Sequence, residues 1–215
     1  MTKILPVIMC GGAGTRVWPE SRETLPKQFI PLIGDRSTFQ TTMAMLDDPA
    51  FEKPIVVSNS DYRFLVADQL REIGASADIV LEPMRRDSAA AVAVATGLAA
   101  RRSPRTVVVV LAADHVVRDR AGLVDLCKKA ASVAADGYIV TLGVKPDSPA
   151  TGYGYIRPGA SIAGEVMKLD AFVEKPDRDT AQSYVEAGYL WNSGNFIFRA
   201  DVMQAEIAHF EPAIS

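Results

Sequence analysis

The segment that most constrains the fold comprises residues 10–27 and has the sequence C-G-G-A-G-T-R-V-W-P-E-S-R-E-T-L-P-K. It follows an apolar run at residues 4–9 that is long enough for one buried strand and is bounded by glycine. Open α/β sheets bind ligands at the carboxyl ends of their strands. We therefore expect the chain to build a sheet around this strand, with a binding loop at its end.

The composition of this loop favours a polyphosphate ligand. Its glycines permit positive φ and leave no Cβ between the backbone N–H groups and an anion. A hydroxyl, a guanidinium and an ammonium group follow, and all three can donate hydrogen bonds to phosphate oxygens. The residues concerned are Gly11, Gly12, Gly14, Thr15, Arg16 and Lys27.

Two known phosphate motifs do not fit the loop. The P-loop requires Gly-Lys-Ser/Thr, whereas Gly14 is followed by Thr15 and Arg16. The dinucleotide motif G-x-G-x-x-G requires a third glycine where this chain has Val17. Two interpretations remain: a third kind of phosphate loop, or a glycine-rich turn without a ligand.

The composition is that of a globular protein of one large domain. Of the 215 residues, 48% are apolar and 23% are charged, and the net charge of −3 gives no general affinity for nucleic acid. The longest aliphatic run, residues 107–113, is too short to span a membrane, and no signal-peptide pattern precedes the first strand. Cys10 and Cys127 lack zinc-site spacing. We expect a cytoplasmic protein that binds neither nucleic acid nor membrane and that could form a homo-oligomer.

Strand and helix patterns alternate along the first two thirds of the chain, which predicts an α/β fold with a mostly parallel sheet and helices on both faces. Residues 152–159 and 165–173 instead have the pattern of antiparallel strands, and residues 191–195 that of a polar turn before a strand. We expect a nucleotide-binding part at about 1–145 and a small antiparallel lobe, facing the first loop, at about 146–215.

The segment A-A-D-H at residues 112–115 directly follows an aliphatic strand at residues 106–111, which predicts that Asp114 lies at the carboxyl edge of the sheet beside the glycine loop. Mg²⁺ is usually bound by one or two carboxylates, with phosphate and water as its other ligands. Taken alone, this motif favours an aspartate that caps a helix or lies in a loop without a ligand, and the flanking segments reverse that interpretation. We assign no chemical step to its neighbour His115.

Glu82 follows another predicted strand at the same edge. A carboxylate only accepts hydrogen bonds, and the guanine base edge offers N1–H and an amino group as adjacent donors. Glu82 could therefore select guanine over adenine. The alternative is a loop in which Asp87 or Ser88 only caps the next helix.

Two later stretches, F-V-E-K-P and W-N-S-G-N, have the carboxylate and amide groups that suit sugar hydroxyls. Lys175 in the first stretch suits a phosphate on that sugar. Taken as isolated segments, both are interpreted as ordinary surface turns.

Seven segments together resemble the mannose-1-phosphate guanylyltransferases (GDP-mannose pyrophosphorylases) of the sugar-nucleotidyltransferase superfamily. They are G-G-A-G-T-R-V-W-P-E-S-R, P-K-Q-F, E-P-M-R-R-D-S, A-A-D-H, G-Y-G-Y-I, F-V-E-K-P and W-N-S-G-N-F, in the order of that family. The resemblance implies a Rossmann-like fold of the nucleotide-diphospho-sugar transferase type. It also implies Mg²⁺ as cofactor, GTP and mannose 1-phosphate as substrates, and GDP-mannose as product.

The resemblance also implies the roles of individual residues. Arg16, Lys27 and Asp114 would be catalytic, and Asp114 would bind the metal. The nucleotide would contact Gly11, Gly12, Gly14, Thr15, Arg16, Glu82, Arg86 and Ser88, and the sugar phosphate would contact Gly154, Glu174, Lys175, Asn192 and Asn195.

The chain departs from the family pattern in several places. Residues 86–90 have R-D-S-A-A where the family usually has R-N-T-A-P, and Val17 and Glu20 replace leucines. The family's catalytic unit is longer and has a second acidic metal ligand, which we expect to lie outside this chain. Alternatives are a non-catalytic homologue that binds a nucleotide sugar for regulation, and a transferase for another nucleotide and sugar pair. A glycosyltransferase would be expected to have an Asp-x-Asp motif, whereas Asp114 is preceded by Ala112 and Ala113.

Overall fold

The structure, a computed structural model, describes residues 3–12, 17–84 and 88–214, in which strands and helices alternate as the sequence predicts. The strands are β1 (Ile4–Met9), β2 (Ile55–Asn59), β3 (Asp78–Glu82), β4 (Val107–Ala112), β5 (Val140–Val144), β6 (Gly154–Ala163), β7 (Val166–Glu174) and β8 (Leu190–Arg199). The helices are α1 (Thr38–Met45), α2 (Arg63–Glu72), α3 (Ser88–Arg102), α4 (Arg120–Ala135), α5 (Arg178–Glu186) and α6 (Ala200–Phe210).

The chain divides into two compact units, and the first comprises residues 1–139 and 197–215. Its sheet contains parallel strands in the order β3, β2, β1, β4, with Met9 in register with both Val57 and Ala112. The central strands are apolar throughout because both faces are covered: Val107 to Leu111 are at most 4% exposed. The predicted α/β class with a mostly parallel sheet is confirmed.

Local signals in the sequence explain where the helices of this unit begin. Ser37 and Gln40 form a capping box at α1, and the Asp119 side chain accepts a hydrogen bond from the backbone of Gly122 at α4. Alanines on α3, among them Ala91, are buried and allow the helix to approach the sheet closely. Helix α6 packs against α3, and α1 contacts both α2 and α4.

The second unit comprises residues 140–196. Strands β6 and β7 form an antiparallel pair, β6 also pairs with β8, and β5 pairs with β8. Gly164 lies at the turn between β6 and β7 with φ of 56°, a conformation that favours glycine. The predicted antiparallel strands are therefore present.

One prediction in this unit is wrong. Residues 191–195 were expected to form a turn before a short strand, but they lie within β8. The strand accommodates the polar residues through a local kink, in which Gly194 has φ of 74° and its N–H donates to Asn192 Oδ1 at 3.2 Å. The residues that suggested a turn, Asn192 and Gly194, therefore bend β8 from within and do not form a separate turn before it.

Residues 197–215, including the end of β8 and α6, group with the first unit, whereas the sequence placed them in the second part. In the described part of the chain, none of the helices combines the length and apolar character needed to cross a bilayer.

Candidate functional site

The glycine loop and Asp114 leave the sheet side by side. The backbone N–H of Cys10 donates to Val57 O at 2.8 Å, and that of Ala113 donates to Met9 O at 3.1 Å. These bonds extend the parallel pairing by one residue beyond the strands, so both segments emerge from the same edge. The predicted position of Asp114 at the carboxyl edge beside the loop is confirmed.

The two glycines of the loop that the structure describes, Gly11 and Gly12, have free space around them, and their backbone is not in the left-handed conformation. A Cβ at Gly12 would meet no atom within 4 Å, and one at Gly11 would lie 3.7 Å from Glu82 Oε2. Neither residue has a left-handed φ, so these two glycines do not use the positive φ that the sequence permits. The absence of Cβ instead leaves their backbone accessible to a ligand. Gly14, Thr15, Arg16 and Arg86 lie outside the described residues.

Gln28 holds this loop in place, a role that the sequence did not indicate. Its side-chain Nε2 donates to the carbonyl oxygens of Cys10 at 3.2 Å and Gly12 at 3.1 Å. The residue is only 3% exposed, so these bonds are largely shielded from water. Its presence in the motif P-K-Q-F was the available signal, although the motif does not show which atoms Gln28 contacts.

Lys27 and Asp114 form an ion pair at the mouth of the loop. The Lys27 Nζ atom lies 2.8 Å from Asp114 Oδ2, and the two side chains are 32% and 37% exposed. Burial disfavours the charged carboxylate, but the hydrogen bond and positive charge of Lys27 outweigh it and hold the pKa of Asp114 below its usual range. Asp114 is therefore ionised at neutral pH.

The neighbouring titratable groups are held in their neutral forms. Burial lowers the pKa of His115, and burial together with the charge of Asp114 raises the pKa of the Cys10 thiol far above its usual value. Neutral His115 and protonated Cys10 therefore leave Asp114 and Lys27 as the charged pair at this position.

Glu82 extends its carboxylate over the start of the loop. Its Oε2 atom lies 3.7 Å from the position that a Cβ on Gly11 would occupy. Desolvation raises the pKa of Glu82. Ser88, the other described residue that the resemblance assigns to the nucleoside, is the exposed first residue of α3.

In the second unit, Gly154 and Glu174 are directly paired across β6 and β7. Gly154 is buried, and a Cβ there would lie 2.7 Å from Glu174 Oε2 and 3.1 Å from the ring of Phe172. The Glu174 side chain therefore lies across the glycine, and a Cβ at this position would require the end of that side chain to move.

Lys175 has a left-handed backbone, with φ of 45°, directly after β7. Its backbone N–H donates to Tyr153 O at 3.3 Å, and its Nζ lies 2.9 Å from Glu174 Oε1. Consecutive side chains of a strand point to opposite faces, whereas here they meet because the backbone turns. A left-handed lysine is uncommon and costs free energy.

Asn192 and Asn195 meet the hydroxyl of Thr141, a residue that the sequence did not single out. Thr141 Oγ1 lies 2.6 Å from Asn192 Oδ1 and 3.1 Å from the carbonyl oxygen of Asn195. Asn195 is 5% exposed. The structure thus brings together Gly154 with Glu174 and Lys175, and Asn192 with Asn195.

The donor set fits a magnesium ion only in part. Asp114 offers a half-exposed carboxylate at the sheet edge, and Mg²⁺ needs as few as one or two such ligands from a protein. Among residues 3–12, 17–84 and 88–214, no group of three His, Cys, Asp or Glu side chains could hold a metal. The residues present therefore suit a metal that has phosphate oxygens as further ligands.

The fold and this edge of acidic, basic and glycine residues are those of a nucleotide-binding transferase. The chain belongs to the nucleotidyl transferase family, whose model matches residues 5–215.

Two curated relatives represent the similarity in sequence. The chain is 46% identical to xanthan biosynthesis protein XanB of Xanthomonas campestris pv. campestris (strain B100), covering 100% of this chain and 46% of the relative. It is 43% identical to mannose-1-phosphate guanylyltransferase of Klebsiella pneumoniae, covering 98% of this chain and 46% of that protein. The chain thus spans about half the length of these relatives.

Solved structures share the fold. Mannose-1-phosphate geranyltransferase from Thermus thermophilus is 32% identical with a TM-score of 0.89, over 99% of this chain and 62% of that one. A mannose-6-phosphate isomerase from Helicobacter pylori is 27% identical with a TM-score of 0.82, over 98% and 76%. UDP-glucose pyrophosphorylase, 18% identical with a TM-score of 0.69 over 98% and 80%, shares the fold alone.

Proposed function

We propose that the chain is a nucleotidyltransferase domain that makes GDP-mannose and pyrophosphate from GTP and α-D-mannose 1-phosphate. The observation that supports this most is the charged pair of Lys27 and Asp114 beside the open backbone of Gly11 and Gly12. Membership of the family and the name of the Klebsiella pneumoniae relative, mannose-1-phosphate guanylyltransferase, support this reaction and these substrates.

In this reaction the phosphate of the sugar attacks the α-phosphorus of GTP in line, and pyrophosphate leaves. A phosphomonoester has a second pKa of about 6 and is mostly dianionic at neutral pH, so no general base is needed. The neutral state of His115 and the protonated thiol of Cys10 are compatible with such a mechanism. Catalysis then depends on placement of the two substrates and on neutralisation of phosphate charge.

The residues of the first unit supply that placement. The backbone of Gly11, Gly12 and Gly14, with the Thr15 hydroxyl, binds the triphosphate. Arg16 and Lys27 donate hydrogen bonds to its oxygens. Asp114 holds Mg²⁺, which when bound neutralises phosphate charge as a Lewis acid. Gln28 keeps the loop in position through its bonds to Cys10 and Gly12.

The base is selected beside the same loop. Glu82 accepts hydrogen bonds from N1–H and the amino group of guanine, and Arg86 and Ser88 contact the nucleoside. The raised pKa of Glu82 reflects a partly desolvated carboxyl, and in such a place hydrogen bonds to a base edge are stronger than in water.

The second unit binds the sugar phosphate. Glu174 and the amides of Asn192 and Asn195 pair with sugar hydroxyls, and Lys175 pairs with the phosphate, while Gly154 leaves room for Glu174. The left-handed backbone at Lys175 supports this role, since strained residues are concentrated at binding sites.

Both cysteines are buried free thiols, which suits the reducing cytoplasm.

The test is a matrix of pyrophosphate release in which GTP, ATP, UTP, CTP and dTTP are each paired with mannose, glucose and galactose 1-phosphates, with and without Mg²⁺. We expect release with GTP and mannose 1-phosphate, and dependence on Mg²⁺. Saturable binding of GDP-mannose without release would favour the regulatory homologue, and maximal release with another pair would overturn the substrates proposed.

A further inference from the structure

The ammonium of Lys27 occupies a position beside Asp114 that a cation would otherwise take. Its Nζ atom lies 2.8 Å from Asp114 Oδ2, which is hydrogen-bonding distance. This is the same carboxylate to which the proposed function assigns Mg²⁺. A divalent ion that binds there must displace the ammonium or share the carboxylate with it.

Displacement without a new partner for Lys27 is unfavourable. The ammonium would lose its carboxylate and would remain next to a doubly charged ion, and like charges a few ångströms apart repel strongly at a partly shielded site. Few other ligands compensate the metal for its lost water, because the described residues form no group of three acidic, His or Cys side chains. Mg²⁺ also gives up its water reluctantly.

A bound triphosphate would make displacement of Lys27 from Asp114 more favourable, both for the lysine and for the metal. It offers Lys27 an anionic partner in place of Asp114, and it brings the metal additional oxygen ligands. Lys27 directly precedes Gln28, whose side chain binds the carbonyl oxygens of Cys10 and Gly12, so its side chain is attached next to the proposed phosphate loop.

We propose that Lys27 acts as an internal cation that keeps Asp114 closed to free divalent metal, and that it transfers from Asp114 to the triphosphate when the metal–nucleotide complex binds. The inference rests on the proposed function and adds an order of events to it. Metal and nucleotide then bind with positive coupling, which by linkage is reciprocal. Removal of the Lys27 charge removes part of that coupling.

The variants are Lys27→Met, which removes the charge at similar side-chain length, and Lys27→Arg, which retains a cation. The matched control is Lys128→Met, because Lys128 Nζ lies 3.0 Å from Asp48 Oδ2 with exposures of 37% and 30%, close to those of the Lys27 pair. It removes the same charge from an equivalent ion pair that is not part of the proposed site.

The measurement is the broadening of backbone amide NMR signals of Ala113, Asp114 and His115 by Mn²⁺, with and without GTP. In the wild-type chain we expect broadening only when GTP is present. In Lys27→Met we expect it with Mn²⁺ alone, at a concentration on the order of tenfold below the highest one at which Mn²⁺ alone leaves the wild-type signals unbroadened. Lys27→Arg and Lys128→Met should behave like the wild type.

Two results would overturn the inference about Lys27, and a third would contradict the proposed metal site. Equal broadening of wild type and Lys27→Met by Mn²⁺ alone would overturn the inference, and so would a Lys27→Met variant that Mn²⁺ alone leaves unbroadened. In the first case the metal would still bind at Asp114, and in the second the wild type would still be broadened by Mn²⁺ with GTP, so both results would leave the proposed function standing. No broadening in the wild type even with GTP would instead contradict the proposed metal site itself.

Discussion

The Nζ atom of Lys27 lies 2.8 Å from Oδ2 of Asp114, so that the segment after the glycine loop is joined to the end of β4 by opposite charges. Both side chains are about one third exposed, and exposed pairs of this kind contribute only about 0–1 kcal/mol to stability. Their arrangement therefore bears on what this edge of the sheet binds more than on how stable the fold is.

Gln28 is expected to determine the shape of the loop. Gln28→Leu would leave the carbonyl oxygens of Cys10 and Gly12 without these bonds at a largely buried position, which costs about 1–3 kcal/mol. We expect a loss of that size in the free energy of unfolding, measured by urea denaturation, and weaker GTP binding. Gln182→Ala breaks an exposed bond to Glu186 and should change stability by less than about 0.5 kcal/mol. Equal stability of Gln28→Leu and the wild type would refute the anchoring role.

Glu82 is expected to distinguish GTP from ITP, whose base lacks the exocyclic amino group. Glu82→Gln leaves one acceptor oxygen in place of two, and a bidentate pairing with a base is worth about 1–3 kcal/mol. We expect the ratio of GTP to ITP affinity, measured by calorimetry, to fall by about tenfold or more.

Glu52→Gln is the control, since Glu52 pairs with Arg102 in the same unit. An unchanged ratio in Glu82→Gln would show that Glu82 does not select the base.

A side chain at Gly154 is expected to change the position of Glu174. A Cβ there would lie 2.7 Å from Glu174 Oε2 and displace that carboxylate, so Gly154→Ala should raise the KM for mannose 1-phosphate by about tenfold. The exposed end of Glu174 can shift, so the variant should lose little stability. Gly152→Ala adds the same methyl group where no atom lies within 4 Å and should have little effect on KM. Equal KM values in the two variants would contradict this role of Gly154.

Burial of the cysteines predicts a loss of stability at alkaline pH. Burial raises the pKa of Cys127 from 9.0 to about 11. Because the folded pKa is above the unfolded one, this contribution is fully present below about pH 9 and is lost as the pH rises toward 11.

The measurement is the free energy of unfolding in urea at pH 8 and pH 10 for the wild type and Cys127→Ala. We expect the wild type to lose more stability between these pH values than the variant, by up to about 1.4 kcal/mol per pH unit. An identical loss in both proteins would show that the native thiol is not protected from ionisation.

The parts of the fold that the sequence predicted are those in which neighbouring residues share one environment. Strand β4 is aliphatic because both of its faces are buried, and α1 begins at Ser37 because its cap is local. The polar segment at residues 191–195 was misassigned because Asn and Gly residues bend a strand with the same chemistry that they use in a turn.

The sequence predicted which residues of the candidate site share a sheet edge, but it did not predict which side chains are in contact. The positions of Lys27 and Asp114 follow from strands and motifs, whereas their ion pair depends on side-chain direction. The same holds for Gln28 and for the carboxylate of Glu82 near Gly11, since a residue's own sequence neighbourhood does not specify a partner far away in the chain. The left-handed backbone at Lys175 had no signal, because lysine rarely adopts it.

The most direct test of the central claim is the rate of pyrophosphate release from GTP and mannose 1-phosphate in the wild type, Asp114→Asn and Asp48→Asn. Asp48 is the control because it also pairs with a lysine, Lys128, and lies outside the proposed site. Asp114→Asn would weaken the hold on Mg²⁺, and the loss of one electrostatic group that stabilises the transition state costs about 10²–10³-fold. The account predicts such a loss in Asp114→Asn and a rate within about twofold of wild type in Asp48→Asn. A wild-type chain without release, or Asp114→Asn with an undiminished rate, would contradict it.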